Sequence, residues 1–203
     1  MPIIGATDEG TAMKRPSLFV TLLLAAASAS AALQVGDAAP AFSAEASLAG
    51  RAFTYSLSDK LAHGPVVVYF YPSAYTSGCN IQAHAFSVEH DKFVAAGASI
   101  VGVSLDSIER LNSFSADPLY CAGNFAVASD SEGKIARSFD LRVGGAVKGA
   151  RDTRGVEIDH GFAERTTFVL RRDGTVAATI GGVNPEENVR QALDAVRRLG
   201  DSH

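Results

Sequence analysis

The clearest pattern along the chain is two uninterrupted apolar runs separated by a segment with helical spacing. Val66-Val67-Val68-Tyr69-Phe70-Tyr71, bounded by Pro65 and Pro72, is β-branched and aromatic throughout, as expected of a strand buried on both faces. From Ser77 to Ala95, Ile81, Ala85 and Val88 fall on one helical stripe, Phe86 and Phe93 widen it, and Gly97 closes the helix. A second buried strand is predicted from Ser99 to Leu105, then a helix capped by Asp106 and running to about Ser115. Strand, helix and strand in this order make a βαβ unit with parallel neighbours.

Upstream, Val35 to Phe42 is a turn-rich lead-in, and Arg51 to Tyr55 is a short strand after the turn at Ala49-Gly50. Downstream, Phe125 to Ala128 is a third short strand and Asp130 caps a helix through Phe139. Arg142 to His160 is a Gly-rich, charged insertion without period. Thr167 to Leu170 and Thr175 to Ile180 flank Asp173-Gly174, a strong hairpin signal. The last helix opens with Asn184-Pro185-Glu186-Glu187, a cap, a first-turn proline and two acids suited to the helix dipole, and runs to Leu199-Gly200. The order describes an α/β chain of thioredoxin-like fold, with a mixed central sheet flanked by helices.

With 203 residues and 47% hydrophobic content, the chain is long enough for one domain with a real core. Its net charge of −4 provides no basic stripe for phosphates, so neither nucleic acid nor stable membrane association is expected. Residues 1–32 read as a signal peptide ahead of a domain at 33–203: Lys14-Arg15 precede the run Leu18 to Ala27, and Ala29-Ser30-Ala31 is an A-x-A cleavage site. The apolar run is about half the ~20 residues that a spanning helix needs. Met13 directly precedes Lys14-Arg15, and the acids Asp8 and Glu9 are unusual in a leader, so Met13 is an alternative start. The expected destination is periplasmic or secreted, where a disulfide is permitted.

Candidate chemistry lies at Pro72-Ser73-Ala74-Tyr75-Thr76-Ser77-Gly78-Cys79, which sets a thiol just after a buried strand and in the first turn of a helix. Free N–H groups and the positive helix end favour a thiolate there. Thr76 can give its hydroxyl to the sulfur or to a bound oxygen, and Pro72 can shield the site from water. Cys79 and Cys121 are the two cysteines, open to reading as one ordinary disulfide or as a redox pair. Cys79 with His84 falls short of a zinc site, and neither metal nor cofactor is expected. His84 suits a helix surface. His160 is close enough in sequence to Arg165 to line a pocket, although a structural hydrogen bond suits it better. Gln82 stands one turn from Cys79 in a supporting position.

Pro72-x-x-x-Thr76-x-x-Cys79 resembles the active-site signature of the peroxiredoxins, and Phe70-Tyr71-Pro72 with Gly78-Cys79-Asn80-Ile81-Gln82-Ala83 resembles their Q-type, bacterioferritin-comigratory branch. The likeness runs from Gly36-Asp37-Ala38-Ala39-Pro40-x-Phe42 to the final helix. The resemblance implies a thiol peroxidase whose third active-site residue is Arg165, in Glu164-Arg165-Thr166-Thr167-Phe168, with the peroxide held between Thr76, the amide of Cys79 and Arg165. It further implies a Cys79 sulfenic acid, resolution by Cys121 on the helix that follows, a thioredoxin-like or glutaredoxin-like reductant, and a monomer. Many Q-type members place the resolving cysteine five residues after the first, where this chain has His84. Exported dithiol oxidoreductases would need a second cysteine at Gln82, and copper-delivery proteins one at Ala83, so both alternatives fit less well.

Overall fold

The computed structural model describes residues 1–3, 5 and 32–200. The predicted leader features at Lys14 to Ala31 lie outside the described residues. The body begins with two antiparallel strands, β1 (Ser43–Leu48) and β2 (Arg51–Ser56), and a short α1 (Leu57–Leu61). The βαβ unit follows as β3 (Val66–Phe70), α2 (Ser77–Ala95) and β4 (Ser99–Ser104), with β3 and β4 parallel. Next come α3 (Ile108–Ala116), β5 (Ala126–Ser129), α4 (Lys134–Ser138), the small ribbon β6 (Val143–Gly144) and β7 (Phe162–Ala163), the hairpin β8 (Thr166–Leu170) and β9 (Val176–Gly181), and α5 (Pro185–Gly200).

Seven strands form one mixed sheet in the order β2-β1-β5-β4-β3-β8-β9. Because side chains alternate along a strand, β3 feeds both cores. Val67 and Tyr69, with Tyr71 just beyond the strand, join Phe86, Phe93, Leu111, Phe114, Val189 and Val196 on the α2, α3 and α5 face. Val66, Val68 and Phe70 join Leu57, Phe139 and Phe168 on the other. Burial on both sides is why β3 has no polar position. At the hairpin, Gly174 takes φ +84°, a conformation that favours glycine, and Arg171 N–H still reaches the Thr175 carbonyl at 2.8 Å. Asn184 Oδ1 accepts the Glu187 N–H at 2.8 Å, as its capping position predicts.

Three expectations need correction. The buried face of α2 is Cys79, Asn80, Gln82, Ala83, Phe86 and Phe93, whereas Ile81 is 41% and Val88 63% exposed. With apolar residues on both sides, the helix docks by its aromatic pair and by the polar partners of Gln82. Asp106 does not cap α3. Ser107 does, its hydroxyl accepting the Arg110 N–H, while Asp106 is buried. Nor does Cys121 end a helix: α3 stops at Ala116, because Asp117 takes an extended conformation before Pro118, which has no N–H to continue the ladder.

Candidate active site

The site forms where β3 runs out. Tyr71 N–H makes one further sheet bond, to Val103 O at 3.1 Å, and then half-buried Pro72 turns the chain away. The loop that follows holds Tyr75 at φ +63°, an uncommon conformation for a bulky residue. Three elements hold it in place. From the β4–α3 turn, Asp106 accepts the Ser73 hydroxyl at 2.8 Å and the Ala74 N–H at 2.7 Å. From α3, Arg110 donates to Ala74 O at 2.8 Å. From the 145–160 excursion, Thr153 donates its N–H and its hydroxyl to Tyr75 O at 3.0 and 2.8 Å. The Arg154 guanidinium lies 3.2 Å from the Tyr75 ring centroid, a cation–π contact.

Thr76 caps α2 with its backbone, and its hydroxyl donates to Ser73 O at 2.8 Å instead of to the sulfur. The oxygen lone pairs are left to accept an O–H from a ligand. Likewise, the Cys79 N–H is directed at Thr76 O at 3.0 Å, so it is engaged in the helix start and is not a free donor. The group that does meet the sulfur is Arg165. Since β8 is antiparallel to β3, with Thr166 opposite Phe70, the residue before Thr166 emerges beside the start of α2. Its Nη2 is 3.2 Å from Cys79 Sγ, and its Nη1 donates to Gln82 Oε1. A Cβ on Gly78 would come within 3.2 Å of that guanidinium, so a glycine here allows the close approach.

The structure therefore brings Cys79, Thr76, Pro72 and Arg165 to one end of the sheet, with Gln82 behind them. Cys121 is 0% exposed in the turn 117–124, and both thiols are free. Burial, then the charge of Asp117, pushes the Cys121 thiol well above its ordinary range, so at rest it is protonated and a poor nucleophile. Tyr120, its neighbour, packs on Tyr75 and Phe114 at centroid distances of 5.6 and 5.4 Å, linking its turn to the Cys79 loop.

Sequence reading found part of the support for this site, a structural hydrogen bond of His160 and a supporting place for Gln82, and missed Asp106, Asn188 and Thr167. His160 donates to Asp106 Oδ1 at 2.8 Å through Nε2, while its Nδ1 faces Gly161 O at 2.6 Å. With an oxygen acceptor before each nitrogen, the surroundings favour the protonated ring. Burial alone would lower the His160 pKa, but the hydrogen bond and charge of Asp106 overcome it and raise the value. Burial likewise opposes ionisation of Asp106, and is outweighed by the hydrogen bonds of His160, Ala74 and Ser104, so its carboxyl sits below the usual range. Arg110 Nε adds an ion pair at 2.9 Å. Asn188 and Thr167 stand behind Gln82 in a buried chain. A hint existed only for Asp106, an acid after an apolar run, and it was read as a helix cap.

The chain has relatives among known proteins. The model of the AhpC/TSA family matches residues 35–179. The chain is 32% identical over 136 residues to the chloroplast peroxiredoxin Q of Sedum lineare, covering 66% of this chain and 64% of that protein's length. It is 29% identical over 164 residues to the putative peroxiredoxin bcp of Helicobacter pylori, covering 81% and 98%. Among solved structures, peroxidoxin BcpB of Mycobacterium tuberculosis superposes with a TM-score of 0.68 at 27% identity, over 82% of this chain and 98% of that one. Peroxiredoxin Q of Xanthomonas campestris superposes with a TM-score of 0.61 at 28% identity, over 77% and 90%.

Proposed function

Because the chain belongs to the AhpC/TSA family, we propose that it is a thiol-dependent peroxidase in which Cys79 attacks the O–O bond of a hydroperoxide. The observation that carries this reading is the Arg165 guanidinium 3.2 Å from Cys79 Sγ. A fixed cation beside the sulfur meets the negative charge that grows on the oxygens as the bond breaks. The thiolate takes the terminal oxygen as sulfenic acid, and the other oxygen leaves as alkoxide or hydroxide and is protonated to alcohol or water. Thr76, whose hydroxyl hydrogen is engaged by Ser73 O, is suited to accept the peroxide O–H.

Cys121 then condenses with the sulfenic acid, forming the S–S bond and releasing water. A thioredoxin-like or glutaredoxin-like dithiol returns both sulfurs to thiols. The leader pattern of residues 14–31 supports export to a periplasmic or extracellular space, and a monomer is the working assembly.

Consumption of hydrogen peroxide with thioredoxin-type and glutaredoxin-type donors tests the reading, together with the mass of Cys79 after one equivalent of peroxide. Cys79→Ser should lose all turnover, because a hydroxyl is neither acidic nor nucleophilic enough at neutral pH. Substantial turnover in that variant would remove the assignment.

A further inference from the structure

Two amides are almost fully buried on helix faces that pack into the core. On α5, Asn188 is 1% exposed beside Val189, Ala192, Leu193 and Val196, and on α2 Gln82 is 0% exposed between Cys79 and Phe86. Packing alone does not call for either, since burying an amide costs free energy unless its hydrogen bonds are made. Here each amide oxygen and nitrogen has a partner, and only one sense of donors and acceptors satisfies the set. Arg165 has only donors, so Gln82 must show it Oε1, as observed. Gln82 Nε2 then points away and needs an acceptor, which is Asn188 Oδ1 at 2.9 Å. That oxygen also accepts the Thr167 hydroxyl at 2.6 Å, and Asn188 Nδ2 donates to Ile180 O at 3.1 Å. The backbone carbonyl at the end of β9 thus sets Asn188, Asn188 sets Gln82, and Gln82 sets the guanidinium that touches sulfur.

We propose that Asn188 is a positioning residue for Arg165: by presenting an amide oxygen to Gln82 it fixes which end of Gln82 faces the guanidinium, and so holds Arg165 on Cys79. Without Asn188, Gln82 Nε2 loses its acceptor at 2.9 Å, and the bond from Arg165 alone is left to keep Oε1 forward. In the flipped state two sets of N–H donors confront each other and Arg165 is displaced from the thiol. The carboxylate of a glutamate at position 82 has no such ambiguity, since either oxygen accepts from the guanidinium. Asn188 therefore matters to the site only while residue 82 is an amide.

The inference rests on the peroxidase reading, and its test separates the two. Asn188→Val is made in the natural chain and in Gln82→Glu, and three quantities are read: the second-order rate of Cys79 with hydrogen peroxide, its alkylation rate with iodoacetamide, and the melting temperature. In the natural chain Asn188→Val should slow the peroxide reaction about tenfold, the low end of the effect of losing a supporting partner of a functional group. In the Gln82→Glu background the same change should alter that rate by less than about twofold, because the coupled partner is gone. Alkylation should slow in the first background and not in the second. An equal loss in both backgrounds, or a lowered melting temperature with unchanged rates, would mean that Asn188 is structural and overturns the proposal. If Asn188→Val does not fold, Asn188→Ser, smaller and still polar, is compared across the same two backgrounds against the same outcomes. A natural chain inert to peroxide would sink the peroxidase reading, while the alkylation rates would still decide whether Asn188 positions Arg165.

Discussion

Cys79 is 1% exposed, and the charge that makes its surroundings suited to an anion is a single guanidinium. With the Thr76 hydroxyl and the Cys79 N–H both engaged by carbonyls, Arg165 is the donor that faces the reacting atoms. Arg165→Ala should therefore slow peroxide attack by about 10²–10³, the usual cost of removing one fixed donor from a developing oxyanion, with secondary structure retained in the circular dichroism spectrum. An unchanged second-order rate would assign the role to another cation. The Asp106–His160 pair acts one layer further out, on the loop. Its sign follows from the directions of both shifts. His160 is raised, so its contribution is present below the unfolded value of about 6.5 and is lost as pH rises through the folded value; Asp106 is lowered, so its contribution is present above about 3.9 and is lost as pH falls through its folded value. A charge-assisted hydrogen bond is worth about 1.5–3 kcal/mol, and about 1 kcal/mol moves the melting point of a chain this size by roughly 2–4 °C. His160→Gln should then melt on the order of 5 °C below the natural protein near pH 5.5, with the gap narrowing near pH 9. Equal gaps at both pH values would mean that His160 is neutral in the fold.

At the scale of elements, legibility in the sequence followed how local the signal was. The strand β3, the hairpin around Gly174 and the capped start of α5 were readable because an apolar run, a Gly turn and an Asn-Pro-Glu-Glu opening act through neighbours in the chain. Strand β1 was missed, since Ser43–Leu48 alternates weakly and owes its place to pairing with β2 and β5. The buried face of α2 was misread because Gln82 is hidden for the sake of partners 83 and 106 residues away. The Arg142 to His160 stretch, aperiodic in sequence, proved to be the arm that clamps the Cys79 loop through Thr153 and Arg154. That clamp bears on resolution. A disulfide needs Cα atoms within about 4.4–6.8 Å, and the resting thiols are free, both buried in the core cluster on the α2 and α3 face. Tyr75 packs on Tyr120 and Phe114, and the turn 117–124, with Ala122 and Gly123 at φ +51° and +72°, is the segment expected to shift as the bond forms. Non-reducing peptide mapping after one equivalent of peroxide should yield a Cys79–Cys121 linked peptide. An exposed cation–π contact is worth about 0.5–1 kcal/mol, so Arg154→Ala should speed the linkage roughly two- to fivefold and lower the sulfinic fraction at excess peroxide. If Cys79 ends as sulfinic acid or as a mixed disulfide while Cys121 stays reduced, the enzyme works with one cysteine.

For the whole molecule, the question is where the folding unit starts. Among the described residues, contacts with the body begin at Ala32 and Leu33, which pack against the core on the α1 and α4 side of the sheet. Leu33 N–H reaches Phe139 O at 3.3 Å, Gly36 N–H reaches Val176 O at 2.9 Å, and Ala39 N–H reaches Gly174 O at 2.9 Å. Ala38 also bridges to Thr175, so the lead-in ties the first residues of the body to the outer hairpin strand β9. Ala29-Ser30-Ala31, the pattern expected of a cleavage site, immediately precedes these residues in the sequence. A signal peptidase cutting after Ala31 would leave every one of those contacts intact. Protein that begins at Ala32 should accordingly melt within about 2 °C of the 203-residue chain and react with peroxide at the same rate. The same position should be the N-terminal residue of protein recovered outside the cytoplasm, read by intact mass. A loss of more than about 5 °C on starting at Ala32 would show that preceding residues contribute to the fold, and recovered protein that retains Lys14-Arg15 would overturn the leader assignment.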